Sequence, residues 1–83
     1  MIFCWDYDAG GNVEHVSDHG LTTDDVECAF EHVIEDLRSR STDRPALTGL
    51  TPDGRLIFVT YEVEIEDGDT FVAVVTAYEI GDQ

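Results

Sequence analysis

The C-terminal half of the chain alternates between apolar and polar positions. From Arg55 to Ile65 it reads RLIFVTYEVEI, and Val59, Tyr61, Val63 and Ile65 take turns with Thr60, Glu62 and Glu64. A two-residue period describes a strand with one wet face. Thr70 to Ile80, TFVAVVTAYEI, is a second long β-prone run. Glu66-Asp67-Gly68-Asp69 between them is a hairpin turn. Upstream, Thr51-Pro52-Asp53-Gly54 is a strong turn, because proline presets φ and glycine accepts a positive one. The stretch ALTGL at 46–50 reads as a strand interrupted by Gly49. The pattern predicts an antiparallel meander of two or three strands.

The N-terminal half has a different period. IFCWDY at 2–7 is aromatic and β-prone, a short strand. Gly10 and Gly11 break it, Asn12 can cap the short segment VEHVSDH, and Gly20 can stop that segment. Leu21 to Val26 then has the features of a helix start. Thr22 suits the N-cap, Asp25 three residues on forms a weaker capping box, and Leu21 and Val26 occupy the staple positions. Asp24 and Asp25 complement the positive end of the dipole. Val26, Phe30, Val33, Ile34 and Leu37 recur at helical spacing, predicting a helix over 22–38 with Arg38 and Arg40 near its negative end.

A one-sided sheet must cover its apolar face, and this helix has the matching stripe. The expected fold is α+β: a short N-terminal strand and one or two helices packed on an antiparallel C-terminal sheet, in two layers and one domain spanning 1–83. A chain of 83 residues buries only about 60% of the surface its unfolded form exposes. Its hydrophobic fraction of 42% and its long apolar runs still supply one core.

Charge changes the picture most. Nineteen acidic residues face four basic ones, for a formal net charge of −15, and there is no lysine. High net charge can accompany disorder, but the apolar runs argue for a folded chain. Phosphate binding draws on basic clusters and counterion release, so this surface repels a polyanion and suits basic partners. Abundant Asp without Lys is also a composition seen in salt-adapted proteomes; the two readings stay open. No signal peptide opens the chain, and no apolar run nears the ~20 residues of a membrane span. A reducing cytoplasm is therefore expected, with Cys4 and Cys28 as plain core thiols.

Little in the sequence carries chemistry. His15 and His19, four apart with Glu14 and Asp18 nearby, would share a helix face, but zinc needs three or four ligands in defined geometry. They are read as packing or capping residues, and neither metal nor cofactor is expected. Arg38, Arg40 and Arg44 fall within seven residues and, with Arg55, could form one positive spot for an anion or partner. The competing reading pairs them with carboxylates such as Glu35, Asp36 and Asp43. Tyr78 and Glu79 could do acid–base work in a cleft; ordinary sheet packing is the plainer role. The acidic run Glu62, Glu64, Glu66, Asp67, Asp69 is a solvated strand face and does not match a calcium loop.

Several landmarks nevertheless occur in order: Trp5-Asp6, Asn12, His19-Gly20 before a capped helix, Arg44, Gly49, Gly54-Arg55-Leu56 entering an apolar strand with Val59 and Tyr61, and Val74-Val75-Thr76-Ala77 in the last strand. This order resembles the small BrnT toxin family, whose fold is similar to that of the RelE ribonucleases. The resemblance covers most of the chain, on single residues and dipeptides. It implies a helix layer on an antiparallel sheet, ribonuclease activity, and an antitoxin that neutralises the toxin. The chain departs from that pattern where RNA would be held. Gly11 and Glu14 stand where the family has basic residues around the first helix. Tyr78 and Glu79 follow the last-strand alanine where it has an arginine, and Gly81-Asp82-Gln83 replaces a basic tail. Arg44 and Arg55 are the retained basic positions.

Three functions follow as expectations. One is a toxin-fold module that is non-catalytic and acts through protein contacts, with a basic protein or an antitoxin as partner. The second is a BrnT-like ribonuclease toxin. The third is an acidic domain unrelated to toxins. Nucleic-acid binding without a partner is disfavoured, and no membrane association is expected.

Overall fold

The computed structural model describes residues 1–38 and 44–80. The elements run β1 (Ile2–Phe3), α1 (Asn12–Asp18), α2 (Thr23–Glu31), β2 (Val33–Arg38), β3 (Pro45–Leu50), β4 (Leu56–Glu66) and β5 (Asp69–Glu79). The strands form one sheet in the order β1-β5-β4-β3-β2. Neighbours pair antiparallel except β1, which lies parallel to β5. Both helices pack on one face of the sheet, the expected two-layer α+β arrangement.

The alternating runs form the two long strands as read, but the apolar face is covered only over their inner half: Val63 is 47% and Ile65 71% exposed, and Thr60, on the side read as wet, is buried. Ile57 and Val59 of β4 and Val72, Val74 and Ala77 of β5 are buried, and they meet Val16, Leu21, Val26, Ala29 and Leu47 in one core. Each buried Val, Leu or Ile among them stabilises by about 1.5–3 kcal/mol through burial. Phe3, Trp5, Phe30 and Tyr61 extend the core as a row of aromatic rings. Phe30 meets Phe3 edge-on at 5.0 Å and Tyr61 at 4.9 Å, and Trp5 stacks on Phe3 at 6.3 Å. The β4–β5 turn is a two-residue loop, Asp67-Gly68, with φ of 52° and 83°. Two positive φ values in succession match the right-handed twist of the strands it joins.

Gly49 does not interrupt its strand. β3 runs through it, paired with Ile57 on one side and Val33 on the other. A Cβ at this position would stand 2.8 Å from the carbonyl carbon and 2.9 Å from the Cα of Ala29. Glycine is required because the backbone of α2 rests directly on β3.

The helix expected over 22–38 ends at Glu31. Its start is as read: the Thr22 hydroxyl accepts from the Asp25 N–H at 3.1 Å, the Asp25 carboxylate accepts from the Thr22 N–H at 3.0 Å, and Leu21 and Val26 are both buried. After Glu31 the chain turns at His32 straight into β2, with the Leu50 N–H donating to the His32 carbonyl at 3.2 Å. Val33 and Ile34, which fit the helical spacing, are strand residues. Their β-branched side chains suit a strand, and the open edge of β3 offers a backbone ladder that a longer helix would leave unused. Arg38 therefore closes β2 and sits at no helix C-terminus; Arg40 lies outside the described residues.

Asn12 is the first residue of α1, with Gly11 at the N-cap. Its side chain acts as a clamp instead of a cap. The amide oxygen accepts from the Asp6 N–H at 2.7 Å, and the amide nitrogen donates to the carbonyls of Cys4 and Val74, each at 3.0 Å. Three chain segments meet on one side chain.

Candidate functional site

A β-bulge decides where the candidate residues of β5 point. Thr60 pairs with Thr76 but Tyr61 pairs with Val74, so Val75 is an extra residue. The extra residue shifts the alternation. Ala77 and Glu79 join Val72 and Val74 on the helix side, and Tyr78 turns to the helix-free face. There its ring lies 5.3 Å from Phe58 and 6.0 Å from His19, centroid to centroid. His19 and Tyr78 are thus together, as packed rings. His15 is exposed on α1, and the Glu14 carboxylate accepts from the Gly10 N–H at 2.7 Å, which commits it to the preceding loop. Among the described residues no group of three His, Cys, Asp or Glu side chains is placed to hold a metal ion.

Arg55 follows the turn at the far end of β3. The turn is built by Thr51, whose hydroxyl donates to the Asp53 carboxylate and accepts from the Arg55 N–H at 2.9 Å, while Gly54 takes φ of 87°. The Arg55 guanidinium reaches Asp53 at 3.0 Å, Asp25 at 3.2 Å and Glu79 at 3.8 Å. The Thr51 hydroxyl and then the Arg55 guanidinium hold the Asp53 carboxyl below its ordinary value, and hydrogen bonding to Asp53 raises Arg55 above its own. Asp25 serves twice, capping α2 and pairing with Arg55. One cation against three carboxylates leaves this spot negative, with Nε donating to Asp53 and Nη2 to Asp25.

Arg44 lies at the other end of β3, just before Pro45. Its Nε sits 3.4 Å from the Glu62 carboxylate. The pair lines a cleft of about 550 Å³ together with Cys4, Glu64 and Phe71. With two carboxylates and a single, paired guanidinium, its charge favours a cation over a phosphate. Cys4, expected as a core thiol, is exposed; the β1 alternation that turns Phe3 and Trp5 toward the helices turns Cys4 away. Cys28 is half-buried on α2, and both thiols are free.

Arg44 and Arg55 therefore do not gather. Six strand residues separate the Arg44 and Arg55 ends of β3, a span of roughly 20 Å. The side chain of Arg38 and all of Arg40 and Asp43 lie outside the described residues. Carboxylate pairing is the arrangement seen at Arg44 and Arg55, with Glu62, Asp25, Asp53 and Glu79 as partners instead of the near neighbours in sequence. One contact had no sequence signal: the Trp5 indole N–H donates to Glu27 at 2.7 Å, tying the N-terminal strand to α2 across twenty-two positions. No helix among the described residues is long and apolar enough to cross a membrane. Comparison with protein-family models, with curated proteins and with solved structures gives no match to this chain.

Proposed function

We propose that the chain is a divergent toxin-fold module that cleaves no RNA and acts through protein contacts, with a basic protein as its partner. The observation that carries this reading is the state of the two described guanidinium groups. Arg44 is held by Glu62, and Arg55 by three carboxylates. Phosphoryl-transfer chemistry on RNA needs donors aimed at developing negative charge. Both guanidinium groups are paired with carboxylates, on a chain of net charge −15.

The residues behind the BrnT resemblance support the same reading. Trp5 anchors α2, Asn12 clamps three segments, and Gly49 admits the α2 backbone. Each has an architectural task that a relative without catalysis must keep.

The test is to induce the chain in a bacterial host and to incubate the purified protein with RNA, free and on translating ribosomes. The expected result is normal growth and intact RNA. Growth arrest that Arg44→Ala or Arg55→Ala relieves, in a variant that still folds by circular dichroism, overturns the proposal in favour of a ribonuclease toxin.

A further inference from the structure

β1 and β2 are the outer strands of the sheet, and β2, at six residues, is the longer. β2 is last in the strand order, so no strand lies beyond it among the described residues. Four of its side chains are also bare: Val33 is 43% exposed, Ile34 60%, and Glu35 and Asp36 are exposed with them. An edge strand presents a row of unpaired N–H and C=O groups, a template for another chain.

The register fixes which groups face outward. The Leu50 N–H donates to the His32 carbonyl, so Leu50 turns its polar backbone toward the β2 side. Alternation then turns Thr48 and Ala46 the same way. Their partners are Glu35 and Leu37, which leaves Asp36 between them with its N–H and C=O directed to the open edge. Arg38, opposite Pro45, follows two residues on with the same outward backbone. Pro45 has no N–H, in keeping with a pair that exchanges no hydrogen bonds. Asp36 and Arg38 thus offer the i, i+2 spacing that an incoming strand reads.

Resting on the basic-partner reading above, we infer that the β2 edge takes an extended, lysine- or arginine-bearing segment of a protein partner as an additional strand. Val33 and Ile34 supply the apolar contact, and Glu35 and Asp36, with Glu31 just before the strand, supply the charge complement. A second copy of this chain is the poorer occupant. Edge-to-edge pairing centred on Asp36 would set that carboxylate against its own copy, where like charges directly opposed are destabilising, and pairing in any register would bring two bodies of −15 together. Backbone pairing would provide the affinity and the alternating side chains the selection.

The probe is a short capped peptide of alternating valine and lysine, compared with a version carrying proline at every second position. Binding is read by fluorescence anisotropy and by amide hydrogen exchange of the wild-type protein. The alternating peptide is expected to bind and to slow exchange at Asp36 and Arg38. Asp36→Pro removes the outward N–H without touching the β3 ladder and is expected to weaken binding about tenfold, the equivalent of one hydrogen bond. Asp36→Asn keeps the N–H and loses only the charge, so its binding falls less. Equal binding by Asp36→Pro or by the proline peptide, with β2 amides unprotected, overturns edge pairing and leaves the basic-partner reading standing. No binding of either peptide to the wild type overturns both. Dimerisation of the protein alone, abolished by Asp36→Pro, overturns the basic segment as occupant. The wild-type exchange measurement decides the matter should Asp36→Pro fail to fold.

Discussion

The two sides of the sheet are finished in different ways. On the β5 side, β1 adds two residues of parallel pairing, the Cys4 N–H donates to the Val72 carbonyl at 2.8 Å, and the Asn12 amide takes the Val74 carbonyl beyond it. That edge is covered first by a strand and then by a side chain. On the β3 side, β2 continues the sheet by six residues and then stops, with exposed β-branched side chains and an outward-facing backbone. One edge is closed with hydrogen bonds at modest burial. The other is left open, with Glu35 and Asp36 exposed along it. Protein sheets use charge on an edge to discourage self-pairing, and the inferred basic partner would meet those carboxylates.

Gly49→Ala tests the comparison most severely, because Gly49 belongs to the junction from which the open edge starts. The new methyl would meet the Ala29 backbone, which cannot rotate away. Either α2 lifts off β3 or the Val33–Gly49 pairing slips. Overpacking costs about 1–3 kcal/mol when side chains can yield; with backbone on both sides a loss of about 3 kcal/mol is expected in urea unfolding. A loss near zero would mean that α2 does not rest on β3.

Asn12→Ala opens the closed edge. It removes three hydrogen bonds from a half-buried site and leaves the Val74 carbonyl unpaired by side chain. At roughly 0.5–1.5 kcal/mol for each bond, a loss of about 2 kcal/mol is expected, with faster hydrogen exchange confined to residues 2–6 and the middle of β5 around Val74. Uniformly faster exchange would break the picture of a local clamp.

How far these features were legible in the sequence depended on whether the signal was periodic or pairwise. The β4–β5 hairpin was readable as an element, because alternation and an Asp-Gly turn both act over a few neighbouring residues, but not which of its apolar positions would be covered: Val63 and Ile65 extend past the helices and are exposed. The start of α2 was readable too, where the capping box is local. The end of α2 was not. Val33, Ile34 and Leu37 satisfy a helical period and a strand equally, and the choice rests with β3, a strand that comes later in the chain. Nearness in sequence left open whether Arg44 and Arg55 formed one spot or paired with carboxylates, and β3 runs between them. Their partners Glu62, Asp25 and Glu79 come from other elements. Gly49 was visible as an oddity within a strand, but its reason, the Ala29 backbone, is a tertiary fact. The bulge at Val75, which sends Tyr78 to the open face, had no marker in the sequence.

The turn at Thr51–Arg55 gives a smaller, pH-dependent test at the β3–β4 junction, between the two edges. Asp53 has its carboxyl lowered from 3.8 by the Thr51 hydroxyl and by Arg55. A group lowered in the folded state stabilises above its unfolded value and loses that contribution as pH falls through the folded one. Wild type is therefore expected to melt above Asp53→Asn at neutral pH, with a gap that stays constant down to about pH 4 and closes in more acid solution. Asp53 is exposed, so the gap itself is small. A gap that widens in acid has the wrong sign and would remove Asp53 from the network that holds Arg55.

Ile34→Thr is expected to have the smallest effect on folding and bears most directly on the open edge. Ile34 is 60% exposed and sits where the β2 register shifts between Val33 and Glu35. Threonine keeps the branched Cβ that suits a strand, so little of the fold depends on the change, and surface substitutions of this kind fall within about 0.5 kcal/mol. The same residue at the closed edge's depth, such as Val74, would cost several times more on truncation. If Ile34 serves only the chain's own stability, its replacement changes nothing else. If it belongs to a docking edge, Ile34→Thr weakens capture of the alternating basic peptide while the melting temperature holds. That split between binding and stability is what an edge left open for a partner requires, and a fall in both together would assign Ile34 to the core of the fold.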